Sequence, residues 1–294
     1  MRPMLRFGSA LIQTVHDLDP FALPVDLLFP GRTVEDLREH ADLLAPHHVD
    51  FDAGSILLGV QSHVVRIGGL VILIDTCIGE HKPRAQRRDW HQRQATGYLE
   101  RLSALGLTPD DVDIVLCTHL HADHVGWNTQ WVDGRWVPTF PRARYLISRE
   151  EFEQWQAAET EEAGRHNHGS FIDSVAPIVE AGQADLVEDG FALTDGVTLM
   201  ALPGHTRGQL GLCLCHGERR AVFSADAVHT PVQVFRPDWA SRFCSDQDRA
   251  IATRRSLFEA AADRDDLLLP AHLRHVSAMR IRRTGGGYRP EFVP

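Results

Sequence analysis

Between positions 119 and 124 the chain places three imidazoles and a carboxylate: His119, His121, Asp123 and His124. Imidazole nitrogen and carboxylate oxygen are the usual ligands of a zinc ion that keeps a position open to water. If the chain is still extended there, residues 119 and 121 point the same way, and Asp123 and His124 lie where it turns. One open zinc takes about three protein ligands, so two metals suit the segment better than one. The bland alternative is a surface cluster, or core histidines bonded to backbone. It does not account for H-x-H-x-D-H arriving directly after a buried strand.

Elements with clear patterns surround these residues. Leu5 to Val15 reads as a first strand. Ile56 to Ile67 is extended and meets Leu70–Ile74 at Gly68-Gly69, a hairpin signal, with Asp75 immediately after. Asp113 to Cys117 is an apolar run suited to a buried strand, and the histidine cluster begins two residues later. Thr96 to Leu105 has helical spacing and stops at Gly106. Asp133-Gly134 marks a hairpin within Trp127 to Phe140. Ser148-Arg149-Glu150-Glu151 has the form of a capping box that opens a helix. Ala157 to Ser170 lacks a period and is expected to be a loop, and Phe171 to Val179 to be helical.

The second half repeats this logic. Val197 to Leu202 ends at Pro203-Gly204-His205. Gly211 to Cys215 is a strand, and Ala221 to Ser224 ends at Asp226. Asp246 to Ala262 is a helix with Ile251, Phe258 and Ala262 in register. Leu267 to Leu269 ends at Pro270-Ala271-His272. His119, His205, Asp226 and His272 therefore each follow an apolar strand, where α/β layer folds place their sites. The expectation is one domain over 1–294 in two equivalent halves, with a seam near 157–170 and a loose tail over 280–294.

With 30 basic and 40 acidic residues the formal charge is −10, so a basic groove for nucleic acid is not expected. No segment reaches the roughly 18 apolar residues of a membrane span. The basic N-terminus lacks the apolar core and cleavage site of a signal peptide. Five cysteines at irregular spacing, Cys77, Cys117, Cys213, Cys215 and Cys244, form no disulfide framework, which suits a reducing cytoplasm. Cys213 and Cys215 alternate on a strand and read as core or surface sulfur before a metal site. A homodimer is a base-rate expectation only.

Thr118-His119-Leu120-His121-Ala122-Asp123-His124 resembles the signature of the metallo-β-lactamase fold superfamily. Pro203-Gly204-His205-Thr206, Ser224-Ala225-Asp226, Pro270-Ala271-His272 and, upstream, Ile74-Asp75-Thr76 match it in order, over about residues 55 to 275. The resemblance implies an α/β fold of the α+β type, a four-layer αββα sandwich with one sheet from each half. It implies two divalent ions, zinc first. His119, His121 and His205 would bind one, Asp123, His124 and His272 the other, and Asp226 would bridge them. Asp75 would hold a ligand histidine through its other ring nitrogen. The implied reaction is hydrolysis by a hydroxide held between the ions, with Asp123 able to relay a proton.

Asp226 directs the resemblance toward lactonases, glyoxalase II enzymes, ribonuclease Z and organophosphate hydrolases. Acyl-homoserine lactonases place a tyrosine three residues later, where this chain has His229. The string from Asp226 to Phe235 is more similar to the methyl parathion hydrolase branch. The expected substrate is a lactone or other small carboxylic ester. Phosphotriester or thioester hydrolysis is the alternative, and a mononuclear iron dioxygenase of the same fold is the alternative of another class. His229 is either a hydrogen-bond donor to the substrate or leaving group, or a rim residue. Trp127 lines the pocket or packs in the core. Phe171 and Phe235 are weaker pocket candidates.

Overall fold

In the computed structural model, which describes residues 4–293, the chain falls into two units. Among the described residues, one gathers 4–8, Asp19–Gly59 and 190–293. The other gathers Ser9–Leu18 and Val60–Asp189. The passage between them after the histidine cluster is thus at Asp189–Gly190, and residues 157–170 lie inside the second unit.

In the second unit the strand Leu70–Ile74 is central. It runs antiparallel to Ser55–Ile67 and parallel to Ile114–Cys117. Ile114–Cys117 pairs in parallel with Arg144–Ser148, and that strand in parallel with Ala184–Val187. Parallel strands are covered on both faces and need continuous apolar runs; Ile72, Leu73, Val115 and Leu116 are accordingly fully buried. The hairpin expected at Gly68-Gly69 has positive φ at both residues, 59° and 84°, as a tight two-residue turn requires. Because Leu70–Ile74 and Ile114–Cys117 are parallel and in register, Asp75 and Thr118-His119 leave the sheet side by side.

Two expectations for this unit are corrected. The helix opened at Ser148 runs over Arg149–Glu161, so part of the expected loop is helical, and His166–Gly169 is a further short turn. Ser148 accepts the Glu151 amide at 3.5 Å, but the Glu151 carboxylate does not return to Ser148. It is buried and bonded elsewhere, so only half the capping box forms.

The other unit holds a seven-stranded sheet. Its order is Ala192–Thr194, Val197–Ala201, Leu210–His216, Arg219–Ala225, Leu267–Pro270, Ala278–Thr284, Gly287–Val293. All neighbours are antiparallel except Arg219–Ala225 with Leu267–Pro270, which are parallel. The helix Gln247–Arg264 makes the crossover between that pair, capped by the Asp246 side chain on Arg249 N at 2.9 Å. Its Leu257, Phe258 and Ala261 pack with Leu202, Val222, Leu268, Met279 and Ile281. The parallel pair again brings two strand ends together, here those leading to Asp226 and His272.

The tail expected to be loose forms the last two strands of this sheet. Alternation explains it: Met279 and Ile281 are buried, while Arg282 pairs with Glu291 and Arg283 with Asp263. Gly285 and Gly286 make the turn. Mixed α/β architecture is therefore observed. Among the described residues no helix is long and apolar enough to cross a membrane.

In the second unit the loops that follow the two central strands clasp each other. Thr76 N donates to His124 O at 2.7 Å, Gly126 N to Cys77 O at 2.7 Å and Trp127 N to Thr76 O at 2.8 Å. A Cβ at Gly126 would lie 1.8 Å from Ile78 O, against backbone that cannot yield cheaply. Gly126→Ala is expected to destabilise the protein by about 2–3 kcal/mol, the range of an overpacked core. That lowers the melting temperature by roughly 3–5 °C, which thermal unfolding followed by circular dichroism will read.

Candidate metal centre

In the second unit the histidine segment is built around Asp75, which is buried at the strand end with φ 58°. Its Oδ1 accepts Thr118 N at 2.8 Å. Its Oδ2 accepts the Thr118 hydroxyl at 2.9 Å and faces His124 Nδ1 at 2.8 Å. A carboxylate only accepts, so His124 carries its proton on Nδ1 and presents a lone pair on Nε2. The Thr118 hydroxyl spends its proton on Asp75 and can only accept from His119 Nδ1, 3.1 Å away. His119 then presents Nε2, which lies 3.1 Å from His121 Nδ1. Asp123 Oδ2 stands 3.8 Å from His124 Nε2. One carboxylate thus sets the tautomers of two histidines, the role a ligand-supporting carboxylate performs.

The backbone between these histidines is held from outside. Leu120 N donates to Glu151 Oε1 at 3.1 Å, and the same oxygen accepts Trp155 Nε1 at 2.7 Å. Asn167 brackets the loop: its amide donates to Leu120 O and its oxygen accepts Ala122 N at 3.0 Å. Asn167 and His168 are left-handed, at φ 46° and 56°. Arg84 anchors that segment by donating to His168 O at 2.9 Å and clasping the Asp173 carboxylate with both terminal nitrogens, at 2.5 and 2.8 Å. Lys82 is wholly buried beside Asp173, and burial pushes its ammonium down to about 7.

In the other unit three imidazoles converge on Asp226. Its Oδ2 faces His205 Nε2 at 3.2 Å and His229 Nε2 at 3.3 Å, and its Oδ1 faces His272 Nε2 at 3.1 Å. All four residues are buried. His272 Nδ1 lies 2.9 Å from the carbonyl oxygen of Gly59, which can only accept, so its proton is on Nδ1 and its Nε2 lone pair points at a carboxylate oxygen. Ala225, just before Asp226, has φ 44°, a conformation that costs an alanine on the order of 1 kcal/mol. The loop after Asp226 is fastened by Arg254, fully buried, which donates to Ala227 O at 2.9 Å, Pro237 O at 2.9 Å and Trp239 O at 3.0 Å. Burial lowers its guanidinium to about 10. Gln233 accepts His229 N at 2.8 Å and donates to Trp239 O at 2.9 Å.

A divalent cation fits these donors. A lone pair facing a carboxylate in a buried place is repulsive unless a proton or cation lies between them. Tetrahedral zinc with bonds of about 2.05 Å sets its ligand atoms roughly 3.3 Å apart. The observed separations within each set, 3.1 Å for His119 with His121 and 3.2 and 3.1 Å from Asp226 to His205 and His272, are close to that spacing.

The three aromatic candidates sit in packing. Trp127 is buried and stacks on Tyr98 at 5.2 Å. Phe171 meets Phe152 at 5.7 Å, and Phe235 stacks on His40 at 3.8 Å. Sequence patterns give no functional role to Asn167, Gln233 or Arg254, and offer Glu151 only as part of a helix cap. Arg254 had a signal: it lies three residues after Ile251 and four before Phe258, on the apolar stripe of its helix. Asn167, in a stretch without a period, had none.

Two substitutions test the supports. Asp75→Ala is expected to weaken divalent metal retention by about 10- to 100-fold, the usual cost of removing a ligand's hydrogen-bond partner. Asn167→Ala should move it in the same direction, with secondary structure unchanged. Competition against a chromophoric chelator measures both, and retention equal to the wild type would count against the supporting role.

The sequence pattern of the Metallo-beta-lactamase superfamily matches residues 56–272. N-acyl homoserine lactonase AiiB of Agrobacterium fabrum (strain C58 / ATCC 33970) is 28% identical over 195 residues, covering 64% of this chain and 67% of that protein. The protein of the same name from Rhizobium rhizogenes (strain K84 / ATCC BAA-868) has the same identity and coverage. Among solved structures, hydrolase AbOPH in the beta lactamase superfamily superposes with a TM-score of 0.81 at 24% identity, covering 99% of this chain and 97% of that one. AidC, a dizinc quorum-quenching lactonase in complex with a product, superposes with a TM-score of 0.78 at 18% identity, with 99% and 97% covered. At such identities the structural likeness concerns the fold. The family match takes in both groups of candidate ligands and most of the chain, so the protein belongs to the metallo-beta-lactamase superfamily, as a metal-dependent hydrolase.

Proposed function

We propose that the protein hydrolyses a lactone or other carboxylic ester, and that its two ligand sets serve one dinuclear zinc centre. His119, His121 and His205 would hold one ion, Asp123, His124 and His272 the other, and Asp226 would belong to both. The observation that carries this reading is Asp226 itself, with one oxygen against His205 and the other against His272. The ordered motifs and the lactonases among the relatives support it. When bound, divalent ions polarise an ester carbonyl and bring the pKa of bound water toward neutrality.

The protein's own groups then divide the work. Asp75 keeps His119 and His124 in the tautomers that bind. Opening a lactone breaks the acyl carbon–oxygen bond and leaves an alkoxide that needs a proton. Asp123 suits that relay: its side chain is 16% exposed, against 4% for Asp226, so substrate can reach it. His229 is buried with Nε2 on Asp226 Oδ2 at 3.3 Å. We assign it to holding the shared carboxylate, ahead of donation to the substrate. Cytoplasmic location stays an expectation from cysteine usage.

The test is a panel of an acyl-homoserine lactone, a nitrophenyl ester, a thioester and an aryl phosphotriester on the zinc-loaded protein. The lactone should give the highest kcat/KM. Turnover confined to the phosphotriester or thioester would overturn the ester reading. On the same panel His229→Ala should keep its metal and lose about 10- to 100-fold in kcat, the scale of a lost support. The loss should be similar for lactone and nitrophenyl ester. A loss much larger on the lactone, whose alkoxide needs a proton where nitrophenolate does not, would make His229 the proton donor instead.

A further inference from the structure

Cys213 and Cys215 lie two residues apart on the strand Leu210–His216 and so share one face of the sheet. Their sulfurs are 3.7 Å apart. Both are free thiols; Cys213 is buried and Cys215 exposed. A disulfide needs sulfurs roughly 2.05 Å apart. Two thiolates on one tetrahedral ion, with bonds of about 2.3 Å, lie roughly 3.8 Å apart. The 3.7 Å separation is that of two thiols in contact, and it is also the spacing a chelate requires.

Three further features bear on it. Cys213, though not the exposed Cys215, lines a cleft of about 530 Å³ with Met200, Thr253 and the side chains of Arg220, Arg249 and Arg264, which opens a path to the buried sulfur. Met200, opposite Gly211 on the neighbouring strand, projects from the same face as Cys213 and brings a third soft sulfur donor to the cleft. Arg220, opposite Cys215, favours the thiolate form of Cys213.

We propose that Cys213 and Cys215 form a second metal site, separate from the hydrolytic centre, that takes a thiophilic divalent cation. Soft thiolate ligands select such ions over magnesium or calcium. Binding replaces two neutral thiols by a divalent ion and two thiolates, with two protons released to solvent. The charge in the cleft is unchanged, so no uncompensated charge is buried. Without the ion, burial and the neighbouring sulfur push the Cys213 thiol up to about 12, so it is not a ready nucleophile. The proposal does not rest on the lactone reading.

The experiment is a cadmium titration of the full-length, zinc-loaded protein followed by ultraviolet absorption. Thiolate-to-cadmium charge transfer absorbs there, whereas imidazole and carboxylate ligands give no such band. One equivalent should produce the band with release of two protons. Cys215→Ser, a change at an exposed position that the fold tolerates, should weaken binding by about 100-fold, the advantage of a tethered second ligand. It should leave ester hydrolysis unchanged. Absence of the band in the wild type, or an undiminished band in Cys215→Ser, would overturn the site. The second result would move the cadmium to Cys244, whose sulfur lies 3.7 Å from His205 Nδ1.

Discussion

The structure depends on one electrostatic constraint: a buried carboxylate, Asp226, has three imidazole nitrogens around it, and the Nε2 of His272 turns its lone pair toward it. In His272 the Gly59 carbonyl forces that orientation, because it can only take the proton on Nδ1. An arrangement of acceptor against acceptor is costly in a protein interior. It becomes favourable when a cation occupies the space between them. The same logic runs through Asp75, which takes the proton of His124 directly and that of His119 through Thr118.

Much of the surrounding sequence serves to hold this unfavourable geometry. Parallel strand pairs supply paired ends, Leu70–Ile74 with Ile114–Cys117 in one unit and Arg219–Ala225 with Leu267–Pro270 in the other. Loops leaving those ends are fastened by buried charged or amide side chains that bond to backbone: Glu151 and Asn167 on one set, Arg254 and Gln233 on the other. Left-handed residues at Asp75 and Ala225 turn the chain where the candidate ligands begin. Such strain persists where the surrounding structure over-determines it.

What could be read beforehand follows from range. Strands, hairpins and the ligand motifs are local patterns, and Asp75, His119, His205, Asp226 and His272 each stand at the end of an apolar run that sequence displays. The supports are not local. Asn167 bonds to residues more than forty positions away and sits in a stretch with no period. Glu151 fits a local capping motif, yet the buried amide of Leu120 claims its carboxylate. The tail reads as loose because arginines and glycines dominate it. Its order comes from an alternating apolar face and from ion pairs such as Arg283 with Asp263, which only folding brings together.

The central claim is that two divalent ions share Asp226. Anomalous diffraction from crystals of the zinc-loaded protein tests it most directly. The account predicts two zinc peaks per chain, one bonded to each Asp226 carboxylate oxygen. A single peak, or two peaks neither of which touches Asp226, would contradict it.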